Sequence, residues 1–244
     1  MDIIKFNEPR YNFGMKHHKV KDFFNKNHLE SKILWNYLIV TICLFCFETI
    51  VYFLFLNNLN NFYEKYFWWI VYLSISVATI GTSLWHFYSY KTRVSCMLGM
   101  MIGMIMGMQT GMMIGAIYGA TNGFFLGAVV GLILGVSVGI ITGYCCGIMG
   151  ILQGMMTGMM GGLMGPMITL MLISDHLMWF MPLYMFVNVL TLLGFSYMIF
   201  KELYEENVKI KEINILKLII WSCFAILILT LIMIYGPKSP IIGG

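Results

Sequence analysis

The sequence predicts an all-α, polytopic integral membrane protein of about seven transmembrane helices, with the N-terminus inside and the C-terminus outside. The first observation is composition: 59% of the 244 residues are apolar and only 11% are charged, against about 25% charged in an ordinary soluble domain. The second is segment length, because the apolar runs approach the roughly 20 residues that a spanning helix needs. The third is the distribution of positive charge. Lipid demands that backbone polar groups be satisfied within the segment, which favours helices.

Seven apolar segments account for these runs. With the N-terminus inside, 13 of the 15 lysines and arginines fall in the inside segments or at their helix edges, and only Lys65 and Lys238 fall outside. This bias follows the positive-inside rule. We therefore predict a basic cytoplasmic tail (1–32), a transmembrane domain (33–235) and a short outer tail (236–244). The predicted spans are 33–56, 66–88, 96–118, 124–143, 148–173, 177–200 and 214–235.

The third to fifth spans form a charge-free core, residues 96–173, in which glycine recurs every fourth residue. Thirteen glycines keep this register from Gly99 to Gly147, and a second run occupies 150, 154, 158 and 162. Small residues four apart let two helix backbones approach closely, which predicts a glycine zipper. Gly-rich clusters at 119–123 and 143–147 predict the turns. The glycines predicted to pack helices are Gly103, Gly107, Gly111, Gly115, Gly127, Gly131, Gly135, Gly139, Gly154, Gly158 and Gly162.

Methionine is concentrated in two of the three core spans. Of 23 methionines, eight lie in the third span and eight in the fifth, whereas the fourth has none. Two stripes at four-residue spacing result: Met100, Met104, Met108 and Met112 on one helix, and Met156, Met160 and Met164 on the other. Thioethers are soft ligands suited to Cu(I) and, by extension, Ag(I). The alternative is packing, since flexible methionine fills the gaps that glycine grooves leave.

Both ends of the core carry further candidate ligands. Cys96, Cys145 and Cys146 fall at the predicted cytoplasmic ends of the third to fifth spans, where thiolates would form a soft-metal terminus. Asp175, His176, Met178, Met181 and Met185 lie at the outer end and would receive an ion from outside. The alternatives are ordinary: Asp175 caps the sixth helix, and His176 is an interfacial polar residue.

Glu48 is the carboxylate that lies well inside a predicted span. Such groups are costly in lipid and usually face a partner or a water-filled cavity. Proton relay, charge balance of a cation and snorkelling toward the surface all remain open for it. We find no Walker loop, HExxH, GxSxG, nucleotide fingerprint or zinc-finger cysteine spacing, and therefore predict neither enzymatic activity nor nucleic-acid binding.

The core sequence also carries a family resemblance. The segment GIMGILQGMMTGMMGGLMGPMI, residues 147–168, resembles the Met/Gly-rich membrane regions of bacterial proteins that accompany copper-handling cupredoxin domains; the match covers mainly 97–171. The pairing of MxxxM with GxxxG is similar to the eukaryotic high-affinity copper transporter family, which has three spans rather than seven. The resemblance implies copper, carried by Met100, Met104, Met108, Met156 and Met160.

Two functional hypotheses follow. The first is a Cu(I) or Ag(I) transporter, or a binding and delivery protein, in which methionine ladders pass the ion to the inner cysteines. The second is a non-catalytic structural subunit whose glycine core holds a larger membrane complex or a homo-oligomer together. Under either hypothesis the partners are lipid and other membrane subunits or a second copy. The expected location is a prokaryotic plasma membrane, with an organellar inner membrane as the alternative.

Overall fold

The computed structural model describes residues 29–51, 62–89, 96–205 and 215–238, and this part of the chain contains helices and turns without strands. Two compact units are present, residues 1–35 and 36–244. The described part of the first unit is helical, and everything below concerns the second. Most of the predicted basic tail, most of the outer tail and several predicted connections lie outside the described residues.

Seven α-helices occupy the described ranges, and each overlaps one predicted span. The sixth helix is helical to Glu205, five residues beyond its predicted end at 200, and the third runs three residues beyond its predicted end at 118. In chain order the helices are α1 (Leu29–Val51), α2 (Phe62–Ser89), α3 (Cys96–Thr121), α4 (Phe124–Gly143), α5 (Gly147–Met171), α6 (Leu177–Glu205) and α7 (Ile215–Tyr235).

Both turns of the core fall where the glycine clusters predict them. Asn122 and Gly123 separate α3 from α4, and a 3-10 turn, Tyr144–Cys146, separates α4 from α5. Gly123 has φ 111° and Gly147 has φ 67°. Side chains with a Cβ rarely adopt these angles, so glycine is the residue that lets the chain reverse here.

Five segments are long and apolar enough to cross a membrane. The longest, Phe124–Met171, contains both α4 and α5, and a shorter apolar helix covers Tyr37–Val51. Mean hydropathy reaches 2.6 in two of the five segments. The predicted all-helical class is therefore confirmed, and these helices have the length and apolar composition of membrane spans.

The three core helices pack through glycine in layers. Gly107, Gly139 and Gly154 form one layer, in which a Cβ placed on Gly107 would lie 3.0 Å from the Gly154 carbonyl oxygen and 3.1 Å from Gly139 Cα. The pairing runs antiparallel between α3 and α4 and between α4 and α5, and parallel between α3 and α5. The other layers are Gly103/Gly143/Gly150, Gly111/Gly135/Gly158, Gly115/Gly131/Gly162 and Gly119/Gly127/Pro166.

Buried and partly buried hydrogen bonds join the outer helices to one another and to α3. The Tyr118 hydroxyl donates to the Leu229 carbonyl of α7 at 2.5 Å, and Asn122 Nδ2 donates to the Met233 carbonyl at 3.1 Å. The Tyr184 hydroxyl of α6 donates to the Met112 carbonyl at 3.3 Å. His86 Nδ1 and Ser196 Oγ, 3.1 Å apart, link α2 to α6. In an apolar surrounding each unmade bond would be costly, so these pairs select how the outer helices dock.

Candidate functional site

The methionine stripe of α3 lies beside the seam between α3 and α5. A Cβ on Gly165 would lie 2.6 Å from the Met112 carbonyl oxygen, and one on Gly161 would meet the backbone of Met108. The backbones of Met108 and Met112 are thus in direct contact with α5. The side chains of the stripe, Met100, Met104, Met108 and Met112, are all half-buried.

The stripe of α5 faces outward. The side chains of Met156, Met160 and Met164 are 65%, 56% and 47% exposed. Met160 and Met164 immediately precede Gly161 and Gly165, the glycines that contact α3, so they flank the same seam from the α5 side. Sulfur-bearing residues of two parallel helices therefore border one seam, the α3 members more deeply than the α5 members.

Gln153 makes a polar contact across this seam. Its Nε2 donates to the Sδ of Met104 at 3.2 Å. The sequence predicted a hydrogen bond between helices for Gln153, but not its partner. Its partner became identifiable once α3 and α5 were seen to run parallel, because residues 49 apart in sequence then lie at the same depth.

The axis of the three core helices leaves no passage for an ion. A Cβ on Gly111 would lie 2.5 Å from the Gly162 nitrogen, and one on Gly131 would lie 3.0 Å from both the Gly115 Cα and the Gly162 oxygen. A methyl group added at either glycine would overlap the neighbouring backbone, so the space between the helices is smaller than one methyl group at these positions. Backbone atoms fill the axis, and any movement of an ion along the methionines would occur on the flank of the core.

Two of the three candidate cysteines lie together at one end of the core. The Sγ of Cys146 lies 2.5 Å from where a Gly99 Cβ would stand, and the Cβ of Cys145 lies 3.8 Å from it. Both side chains are half-buried. Cys96 begins α3 one turn before Gly99, and its side chain lies outside the described residues. The cysteine end, as we name these three residues, adjoins Met100, the first methionine of the α3 stripe.

The candidate ligands at the opposite end are exposed. Asp175 and His176 belong to the turn between α5 and α6, where His176 has a φ of 32°. Met178 is 56% exposed. Met181 and Met185, which follow on the same helix, point instead into the protein interior. The backbone carbonyl of His176 accepts the first hydrogen bonds of α6, from the amides of Trp179 at 3.0 Å and Phe180 at 3.3 Å. His176, rather than Asp175, is therefore the N-cap residue of this helix.

Among the residues whose side chains are described, no group of three or more histidines, cysteines and acidic residues is close enough to hold a metal ion.

Glu48 lies apart from the methionines, in a cleft between α1, α2 and α7. The cleft is lined by Phe47, Val51, Ile70, Ile226, Leu227, Thr230 and Ile234. The carboxyl group is buried, with 8% of the residue exposed. The lining could not be found from sequence, because its members lie up to 186 residues from Glu48 and share no sequence motif.

These features define an all-helical membrane protein with a tightly packed three-helix core and a sulfur-bordered seam. No family model, curated protein or solved structure matches the chain.

Proposed function

We propose that this chain binds Cu(I) or Ag(I) along the seam between α3 and α5 and transports the ion or delivers it to the cysteine end. The observation that carries the proposal is the convergence of two methionine-bearing helices on one seam, with four half-buried thioethers on the α3 side. We include in the proposal seven spans, with the N-terminus inside and the C-terminus outside.

The chemistry supports this choice of ion. Thioether sulfur is neutral and soft, so it binds Cu(I) without burying an uncompensated anion in the membrane. Successive methionines one turn apart provide weak, repeated sites, and conduction requires that the ion leave each site easily. Thiolates bind the same ions more strongly, which makes Cys145 and Cys146 suitable final ligands.

The packing limits the route. Because backbone fills the axis of the core, the ion would move along the flank, where Met156, Met160 and Met164 are exposed. A covering surface is then needed to shield the ion from lipid. A second copy of the chain, or another membrane subunit, would provide that cover, in line with the oligomer expected from the glycine pattern.

The test is Cu(I) binding by purified protein under reducing conditions. Replacing Met100, Met104, Met108 and Met112 together by leucine preserves apolar volume and removes sulfur. We expect affinity to fall roughly tenfold or more, equivalent to about 1.4 kcal/mol. The matched control replaces four exposed methionines of the same helices, Met97, Met101, Met167 and Met171, and should leave affinity unchanged. Equal Cu(I) affinity of both variants, or no Cu(I) binding by the wild type, would contradict the proposed metal-binding function.

A structural role in a membrane assembly is the second candidate, and the exposed faces of α4 and α5 favour it. Only 28% of the most apolar window of Phe124–Met171 is buried, compared with 61% for Met97–Thr121. An assembly subunit would present such a face to its partner. Native mass spectrometry from mild detergent would support this role if stable oligomers form without copper and persist in the four-methionine variant; a monomer in every detergent would contradict it.

A further inference from the structure

The carboxyl group of Glu48 is buried among apolar side chains without a hydrogen-bond partner among the described residues. Both Oε1 and Oε2 of Glu48 are buried, and neither has a hydrogen-bond partner within the part of the chain that the structure describes. A carboxylate without a counter-ion is very costly in an apolar medium, and in practice such a group becomes neutral or binds a cation.

The lining of the cleft identifies which cation fits. Six of the seven other lining residues are apolar, and Glu48 is the only ionisable one among those described. The seventh, Thr230, donates its hydroxyl proton to the carbonyls of Ile226 and Leu227 in its own helix, both at 3.0 Å. No lining donor is therefore directed at the carboxylate.

Metal ions are poorly matched to this cleft. Hard cations such as Ca²⁺ and Mg²⁺ take about six or more oxygen ligands, whereas the described lining side chains offer the two Glu48 oxygens and the Thr230 hydroxyl oxygen. Soft cations prefer sulfur, and no cysteine or methionine lines the cleft. A proton needs one oxygen and leaves the group neutral.

We propose that Glu48 is a proton-binding site of the membrane domain, occupied by a proton in the state described here and able to exchange it through the cleft between α1, α2 and α7. A carboxyl that binds and releases a proton inside a span is the element that proton-coupled movement of a solute requires. The proposal is independent of the methionine seam, because it rests on different helices and involves no metal.

The test uses N,N′-dicyclohexylcarbodiimide on the purified full-length protein in phospholipid nanodiscs. The protonated carboxyl adds across one C=N bond: its oxygen bonds to the central carbon and its proton passes to nitrogen. The acyl group then migrates to nitrogen and leaves a stable N-acylurea where water and amines are excluded. We expect a single adduct on the Glu48 peptide, located by mass spectrometry, and none at that position in Glu48→Gln.

Two controls separate a protonated, apolar site from a merely reactive one. Labelling of Glu48 should fall roughly tenfold per pH unit once the carboxyl ionises. A water-soluble carbodiimide with an added amine should label Asp175, which is exposed, and spare Glu48. The proposal is overturned if Glu48 stays unlabelled by the lipophilic reagent, if its labelling does not depend on pH, or if the water-soluble reagent labels it as fast as Asp175.

Discussion

At the residue scale, the core glycines allow close helix packing because they have no Cβ. Within the core layers a single added methyl group meets backbone atoms of a neighbouring helix, and backbone cannot rotate aside as a side chain can. Elsewhere the same residue has no such role: a Cβ on Gly194 of α6 has nothing within 4 Å. Residue type alone does not distinguish a core glycine from Gly194, but an added methyl group changes the free energy of unfolding very differently at the two kinds of position.

Gly135→Ala should therefore destabilise the protein, although alanine is the better helix former. Its Cβ would lie 2.8 Å from the Gly158 oxygen and 3.1 Å from both the Gly107 oxygen and the Gly111 Cα. Overpacking of this kind costs about 1–3 kcal/mol. The measurement is the unfolding midpoint in detergent.

Gly194→Ala is the matched control for that substitution. It changes the same atoms in a helix without the collision, and should be neutral or stabilising by about 0.5–1 kcal/mol. If the two variants shift the midpoint alike, close backbone packing is not what the core glycines provide.

At the scale of elements, the parallel arrangement of α3 and α5 decides which candidate ligands meet. Both helices run in the same direction because α4 returns the chain between them. The contact of Met108 and Met112 with Gly161 and Gly165 follows from that register. So does the meeting of Cys146 with the beginning of α3, since the turn after α4 ends where α3 starts.

Gly99→Cys tests this register directly. The Cβ of a residue at position 99 would lie 3.9 Å from the Cβ of Cys146, within the usual span of a disulfide. In a Cys145→Ser background, mild oxidation should join positions 99 and 146, seen as a cross-linked peptide pair by mass spectrometry. Gly194→Cys in the same background should form no link to Cys146. Linkage from position 194 and none from 99 would show a different helix order.

At the scale of the whole molecule, burial is distributed unevenly. Much of the core helix α3 is enclosed: Met106 and Met113 have no exposed surface, whereas Met97 and Met101 near its start are exposed. By contrast, the faces of α5, α6 and α7 that point away from the core are apolar and open, with Trp179 83% and Trp221 73% exposed. In a membrane these faces meet lipid or a partner, so the molecule is a shielded centre within an apolar exterior.

The proposed odd number of spans predicts that the two ends of the chain lie on opposite sides of the membrane. An epitope tag before Met1 should be protected from protease in intact cells, whereas a tag after Gly244 should be cleaved. Membrane permeabilisation should expose both tags equally. Cleavage of both tags, or of neither, in intact cells would indicate an even number of spans, and cleavage of only the first would reverse the orientation.

The sequence by itself determined the helical membrane class and the two core turns. These depend on local properties: apolar runs of membrane-spanning length, and glycine where φ must be positive, as at Gly123 and Gly147. The glycine register also indicated that backbones would approach, since the small-residue stripe lies along one face of each helix.

Only the tertiary structure decided which faces meet. A four-residue stripe does not specify its partner helix, so the three-glycine layers, the filled axis and the outward direction of Met156, Met160 and Met164 could not be read from spacing. The cleft around Glu48 brings together α1 and α7, the first and last helices described. The physical reason is that helix formation in lipid is local, whereas the pairing of helices depends on contacts between residues far apart in sequence.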